Sequence, residues 1–249
     1  MVGGVFEAGL PAGRRRIGAI GSDLDFDEDG LYGSRDGNRT NAVQQPSARL
    51  RAFRAVARLI LPVAILLTTY TAAYLYNDTK LASFGIPIDG LTLGALLLPT
   101  AFFATHITNR RYGPGYAFWQ IVASWVIGLA LLPVAQGYFG TRAVANPFPD
   151  TRTLLAFGAA LFVGQVVGIV AFDGTRGRHW WSAPFFGSLW AGIVFCVIFY
   201  LAAFAGTGSP WTSDFLIHLG LMSAMAVTLL IPYWLLRSVV RPLPGFGGY

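Results

Sequence analysis

Long runs of apolar residues recur along the chain after residue 58, separated by short segments that hold arginine, glycine, proline or aspartate. The first run, LILPVAILLTTYTAAYLY at 59–76, has about 18 residues, and as a helix at about 1.5 Å per residue it nearly crosses a hydrocarbon core of about 30 Å. The same criterion selects five further runs, at 91–107, 116–135, 154–172, 182–205 and 215–238. None shows the alternation of a membrane β-barrel strand. The pattern predicts an all-α polytopic membrane protein with six transmembrane helices.

The composition agrees with this prediction. Hydrophobic residues make up 54% and charged residues only 12% of the 249 residues, which leaves too little polar surface to cover a soluble globule. The single cysteine, Cys196, excludes an intramolecular disulfide and offers no metal-ligand spacing. The chain has no nucleophile elbow, HExxH motif, phosphate-binding glycine loop or paired carboxylates in its apolar runs. We therefore predict neither an enzyme nor a bound metal or soluble cofactor.

The polar segments at the two ends define the domain organisation. Residues 1–48 contain no long apolar run, but carry RRR at 14–16 and the acidic stretch SDLDFDEDG at 22–30. This composition is typical of a disordered tail. The prediction is a cytoplasmic tail at 1–48, a six-helix transmembrane domain at 49–241 and a short C-terminal tail at 242–249.

The distribution of arginine predicts the orientation in the membrane. One set of polar segments holds Arg49 to Arg58, Arg110 with Arg111, Arg176 with Arg178, and Arg237 with Arg241, whereas the alternate segments hold only Lys80, Arg142 and Arg152. Because cytoplasmic loops retain Lys and Arg, both termini are predicted to be cytoplasmic in a plasma (inner) membrane. The net charge of +6 is then explained by topology and lipid contact, and nucleic-acid binding is not expected.

Few polar side chains fall inside or at the edge of the apolar runs: His106, Asn109, Gln120, Gln165 and His218. Such groups cost about 2–3 kcal/mol to insert at mid-depth, so they usually face the interior of a bundle. His106 and Asn109 are three positions apart and share a helix face, which suits a ligand edge, although both also lie close to the membrane interface.

The other polar side chains also have a structural alternative. Gln165 stands between Gly164 and Gly168, a small-residue face that lets a neighbouring backbone approach, so its amide could simply hydrogen-bond across helices. His218 follows Asp214 by four positions and could pair with it. Gln120 is interpreted as interfacial. Trp190 could stack on a planar ligand or face lipid.

Two motifs resemble a known family. THITNRRYG at 105–113 is similar to a signature of the vitamin uptake transporter family, and GQVVGIVAFDGTRGRHWWSAP at 164–184 is similar to a second segment of that family. The resemblance covers roughly residues 55–240. It implies a six-helix importer of small planar heterocycles, since the best-known members import the queuosine precursors 7-cyano- and 7-aminomethyl-7-deazaguanine. His106 stands where the family usually has an aspartate, and His218 falls about where another acid is expected.

The resemblance implies the roles of the candidate site residues. Asn109 and Gln165 would hydrogen-bond the edge of the heterocycle, His106 and His218 would take or share a proton, and Trp190 would stack on its face. The expected partners are a heterocyclic solute and the lipid bilayer, and homo-oligomer formation stays open. Two alternatives also stay open: a substrate-binding subunit of an energy-coupling-factor importer, docking through Gly164 and Gly168 and through AAFAG at 202–206, and a non-transporting sensor or scaffold.

Overall fold

A computed structural model describes residues 47–77, 79–84, 91–143, 150–177 and 179–245. Their regular structure is helical, apart from a 3₁₀ turn at Leu81–Phe84 and an isolated bridge between Lys80 and Thr92, and this confirms the all-α prediction. The helices are α1 Ala48–Leu75, α2 Leu93–Leu97, α3 Pro99–Tyr112, α4 Pro114–Ala143, α5 Thr151–Gly174, α6 Ser182–Phe204, α7 Thr212–Thr228 and α8 Leu230–Leu236. Of the predicted tails at 1–48 and 242–249, residues 1–46 and 246–249 lie outside the described residues.

Within the described residues, five helical stretches are long and apolar enough to cross a membrane: Phe53–Leu75, Pro114–Leu131, Thr151–Gly174, Ser182–Phe204 and Thr212–Leu236. They correspond to the first, third, fourth, fifth and sixth apolar runs of the sequence. The last stretch joins α7 and α8. The protein is therefore a helical membrane protein by length and composition.

The run at 91–107 has a different structure, because it forms two helices, α2 and α3, instead of one. Pro99 begins α3 and has no N–H to donate to the preceding turn, so α2 ends just before it. Leu98, between them, keeps helical backbone angles (φ −55°, ψ −42°), and its N–H donates to Gly94 O at 3.0 Å while its carbonyl accepts from the Ala101 N–H at 3.0 Å. Together, α2 and α3 span about 20 residues, or about 30 Å of helix.

The long segments alternate in direction. Gly94, in α2, packs so closely against the carbonyl oxygen of Ala73, close to the end of α1, that an added Cβ would overlap it. The other end of α3 lies beside α8, since Arg110 Nη1 donates to the Tyr233 hydroxyl at 3.2 Å. Gly113, with φ of 86°, then turns the chain directly into α4.

Helix α1 runs parallel to α4, so its first residue lies at the same end of the bundle as the end of α3. Gln120, near the start of α4, donates to Pro62 O at 2.9 Å, and further along both helices the Tyr70 and Trp125 rings lie 6.1 Å apart. We name this end of the bundle the arginine end, because it carries Arg110, Arg111, Arg176, Arg237 and Arg241. The first and the last described segments, at Ser47 and at 238–245, both lie at it.

Glycines bring α5 and α6 into close contact. An added Cβ would lie 2.9 Å from Ala191 O at Gly164 and 3.0 Å from Ala191 Cβ at Gly168. The predicted small-residue face is confirmed, and it is filled by α6 of the same chain. Gly164 and Gly168 are therefore not available for docking to a partner subunit.

Candidate functional site: a buried polar cluster on α3

Helix α3 carries its polar side chains into the interior of the bundle. Thr105, His106, Thr108 and Asn109 are at most 4% exposed, and Gln165 of α5, beside them, is 1% exposed. Phe102 and Ala101 of α3 are also buried, and they continue this surface with apolar side chains. A polar group in such surroundings either finds a partner inside the protein or pays a desolvation cost. The partners therefore separate structural groups from candidates for ligand recognition.

The His106 ring sits in a slot between α5 and α6. It stacks on Phe172 with centroids 5.2 Å apart and an angle of 19° between the planes. Glycines form the walls, because an added Cβ would lie 3.2 Å from His106 Cε1 at Gly168 and 2.9 Å from the same atom at Gly187. Any larger residue at these positions would displace the imidazole.

Among the residues that the structure describes, neither nitrogen of the His106 ring has a hydrogen-bond partner of normal geometry, although the Gly187 backbone lies against the ring. A neutral imidazole carries one donor and one acceptor, so both are unsatisfied. A buried unsatisfied polar group costs about 1–3 kcal/mol. His106 is therefore the residue of this cluster whose chemistry is unused by the fold.

Gln165 is satisfied at both ends of its amide. The Tyr70 hydroxyl donates to Gln165 Oε1 at 2.6 Å, and Gln165 Nε2 donates to Thr105 Oγ1 at 3.4 Å. These bonds join α1, α5 and α3 at one point. They fit the alternative in which the amide hydrogen-bonds across helices.

Asn109 also makes structural bonds. Its Nδ2 donates to Ile169 O at 3.2 Å, and its Oδ1 accepts from Arg176 Nη2 at 2.8 Å. Arg176 also donates from Nε to Asp173 Oδ1 at 2.6 Å. Asn109 thus ties the end of α3 to α5 and to the segment that follows it. His106 and Asn109 both face α5, as their spacing predicts.

The structure places His218 and Trp190 away from this cluster. His218 Nδ1 lies 3.4 Å from the Tyr200 hydroxyl, while His106 contacts α6 at Gly187. These two α6 positions are thirteen residues apart in the sequence, or about 20 Å along a helix. Trp190 is 49% exposed on the outer surface of α6. Of the five candidate residues, His106, Asn109 and Gln165 come together.

Several buried polar contacts in the structure were not predicted from the sequence. Arg110, expected in a polar cytoplasmic segment between two spans, is only 7% exposed, and its Nε donates to Val240 O at 3.1 Å. Gln120, interpreted as interfacial, is fully buried between α4 and α1. The hydroxyls of Tyr70 and Tyr233 make hydrogen bonds to Gln165 and Arg110. The sequence does not predict these bonds, because a tyrosine in an apolar run can equally lie at the membrane interface.

The described residues include no group of three or more His, Cys, Asp or Glu side chains that could hold a metal ion. Comparisons with protein-family models, with curated proteins and with solved structures find no match to this chain.

Proposed function

We propose that this chain is an inner-membrane transporter that imports a small planar heterocycle, of the 7-deazaguanine (queuosine-precursor) type or a related purine-like or vitamin-like solute. The observation that carries the proposal is the buried His106 ring, whose two nitrogens have no hydrogen-bond partner in the described part of the chain. Buried polar groups in membrane proteins usually serve binding or transport. The class of solute follows from the resemblance of the THITNRRYG and GQVVGIVAFDGTRGRHWWSAP motifs.

The proposal includes six membrane crossings, with α2 and α3 together as the second. Two observations support it: Gly94 lies against the end of α1, and Arg110 lies against Tyr233 at the arginine end. With this crossing, the first and the last described segments share the arginine end. Since positively charged segments stay inside, this end faces the cytoplasm.

His106 is assigned the first contact with the solute. A planar heterocycle presents ring N–H donors and ring nitrogen acceptors along one edge, and a neutral imidazole can accept one hydrogen bond and donate one. Gln165 and Asn109 already hold structural bonds, so they recognise the solute only by exchanging those partners. Before that exchange, the two amides position α3 against α5.

Access to His106 requires movement. The ring lies against Phe172 on one side, and an added Cβ at Gly187 would come within 3.0 Å of its Nε2. A heterocycle of purine size does not fit beside the imidazole in this arrangement. The solute therefore enters only when α3 and α6 separate, as expected for a carrier that alternates between closed and open forms.

A thermal-shift screen of the purified protein tests the proposal. The panel holds 7-cyano-7-deazaguanine, 7-aminomethyl-7-deazaguanine, guanine and a set of vitamins, and a ligand at 100 times its Kd stabilises the folded state by about 2.7 kcal/mol. We expect a shift with wild type that is lost in His106→Ala. Gln120→Leu is the matched control, because it removes a buried amide on α4 outside the cluster. Uptake of the same compound into proteoliposomes should follow the same pattern.

Two outcomes would contradict the proposal. A shift that persists in folded His106→Ala protein would remove His106 from the binding site. The absence of both a shift and uptake for every compound, with wild-type protein that unfolds cooperatively, would reject heterocycle transport itself.

A further inference from the structure

The buried aromatic neighbour of His106 is Phe172, near the end of α5. The two rings lie nearly parallel, with centroids 5.2 Å apart and 19° between their planes, and Phe172 is only 1% exposed. Trp190, the residue expected to stack on a planar solute, is 49% exposed on α6. Of these two aromatic residues, Phe172 is therefore the one that presents a ring face at the His106 cluster.

The residues that surround the imidazole belong to α5 and α6. Gly168 and Phe172 are four positions apart and share a face of α5. Gly187 of α6 completes the slot, because an added Cβ there would lie 2.9 Å from His106 Cε1 and 3.0 Å from Phe172 Cβ. The two glycines also meet each other, since an added Cβ at Gly168 would lie 3.2 Å from Gly187 O. The walls of the slot therefore do not depend on α3, which contributes the imidazole that fills it.

The Phe172 ring is also held by residues other than His106. Tyr233 of α8 meets it at a centroid distance of 6.5 Å and an angle of 66°. The guanidinium carbon of Arg176 lies 5.1 Å from the centre of the Phe172 ring. A ring packed in this way keeps its orientation when the imidazole is withdrawn. It is a preformed stacking surface, so a solute that binds it does not have to order it first.

The orientation of the imidazole shows where a hydrogen-bonded solute would lie. Hydrogen bonds to the two ring nitrogens lie close to the plane of the imidazole. That plane is nearly parallel to the Phe172 ring. A planar heterocycle stacked on Phe172 is therefore nearly coplanar with the imidazole, and its edge can exchange hydrogen bonds with His106. One position thus serves both the face and the edge of the solute.

We propose that Phe172 is the stacking residue for the transported solute, which occupies the slot between Gly168 and Gly187 that the imidazole fills in the closed form. This inference rests on the proposed function and deepens it. As α3 separates from α6, His106 withdraws from the slot, and the solute takes its place on Phe172 with one edge towards the imidazole. The slot holds one flat ring, so the solute class is a flat aromatic heterocycle and not a puckered, saturated one.

Binding to the full chain in detergent tests the role of Phe172. The probes are 7-cyano-7-deazaguanine, 7-aminomethyl-7-deazaguanine and guanine, and their Kd is measured by isothermal titration calorimetry. Phe172→Leu should weaken binding about three- to tenfold, because an aromatic stack is lost, whereas Phe172→Tyr keeps the ring and should stay within about twofold. Phe195→Leu is the matched control, since that fully buried ring stacks on Phe199 at 5.7 Å and 12°.

Saturation transfer in solution NMR shows whether the contact is direct. The protein carries protonated phenylalanine rings in an otherwise deuterated background, and magnetisation passes to the C8 proton of a probe that touches such a ring. We expect transfer in wild type and in Phe195→Leu, and its loss in Phe172→Tyr, which still binds. A residue that only supports the fold would leave the transfer unchanged. This measurement also decides the question if Phe172→Leu does not fold.

The possible results separate this inference from the proposed function. The stacking role of Phe172 is overturned, while heterocycle binding stands, if a His106-dependent probe binds Phe172→Leu as tightly as Phe195→Leu. Transfer that persists in Phe172→Tyr has the same consequence. If no probe binds wild type, the stacking role fails together with the import of 7-deazaguanines.

Discussion

The contact between Gly187 and His106 allows the packing of α6 against α3 to be tested by a single methyl group. In Gly187→Ala, the added Cβ would lie 2.9 Å from His106 Cε1, 3.0 Å from His106 Nε2 and 3.0 Å from Phe172 Cβ. Carbon atoms do not approach so closely without strain. Phe172 stacks on the same imidazole, so the ring has no room to retreat on that side.

Two opposing effects determine how much Gly187→Ala changes the free energy of unfolding. Overpacking a tightly packed interior costs about 1–3 kcal/mol. Replacing glycine with alanine in the middle of a helix stabilises by about 0.5–1 kcal/mol when space is available. We therefore expect Gly187→Ala to lower the free energy of unfolding by about 1–2 kcal/mol. Gly220→Ala in α7 is the matched control, because an added Cβ there meets nothing within 4 Å, and it should leave stability unchanged or raise it.

The assay is denaturant or thermal unfolding of the four proteins of a double-mutant cycle in the same detergent. The cycle combines Gly187→Ala with His106→Ala, which removes the ring that the new methyl group strikes. The two changes should couple favourably by about 1 kcal/mol, because the double variant loses the steric conflict. The remaining contact with Phe172 makes the rescue partial.

Either of two results would contradict this prediction. If Gly187→Ala is as stable as Gly220→Ala, the contact between α3 and α6 is looser than in the structure. Alternatively, the cycle could be additive within about 0.3–0.5 kcal/mol, and in that case the methyl group acts on something other than the imidazole.

Three further predictions follow from other parts of the bundle. Gln165→Leu should lower the free energy of unfolding by about 1–3 kcal/mol, because the Tyr70 hydroxyl loses its acceptor and the Thr105 hydroxyl, which still donates to Ala101 O, loses a donor. Unfolding in detergent measures this. The pKa of the Asp150 carboxyl is lowered chiefly by the hydrogen bond from the Thr153 backbone N–H. The capping contribution of Asp150 is therefore complete above the ordinary carboxyl pKa and is lost as the pH falls through the lowered pKa. Asp150→Asn should flatten the acid side of the profile of melting temperature against pH. In a Cys196→Ala background, an impermeant maleimide should label Ser209→Cys on intact cells but label Ser238→Cys only after permeabilisation, and the reverse pattern would contradict the proposed orientation.

The positions of the long helices could be predicted from the sequence because they follow from local properties. A run such as 154–172 is apolar over the thickness of a bilayer, and this fixes it as a span without knowledge of its neighbours. The break between α2 and α3 at Pro99 was not predicted, because the length of an apolar run does not show that one backbone N–H donor is missing. The break follows from proline chemistry once the position is considered.

The arrangement of the candidate site could not be predicted in the same way. The partner of Gln165 is Tyr70, 95 positions away, and no periodicity in either segment connects them. His106 and His218 were grouped because both are histidines in apolar runs, but their depths along the bundle depend on how the helices pack. The arginine pattern places Arg110 in a cytoplasmic segment, but it does not show that the chain returns to this point at Val240 and buries the side chain.

Helix α5 contacts α3 through polar bonds and α6 through close glycine packing. If the proposed transport is correct, this difference indicates how His106 becomes accessible. Polar bonds hold α3 to α5, from Gln165 to Thr105 at 3.4 Å and from Asn109 to Ile169 at 3.2 Å. Each such bond between membrane helices contributes about 0.6–2 kcal/mol, and a solute with donors and acceptors can replace it. The glycine contacts between α5 and α6 have no such substitute, because a heterocycle cannot reproduce close packing of two backbones. We therefore expect α5 and α6 to move together while α3 separates from them, so that Gln165→Leu impairs both stability and uptake.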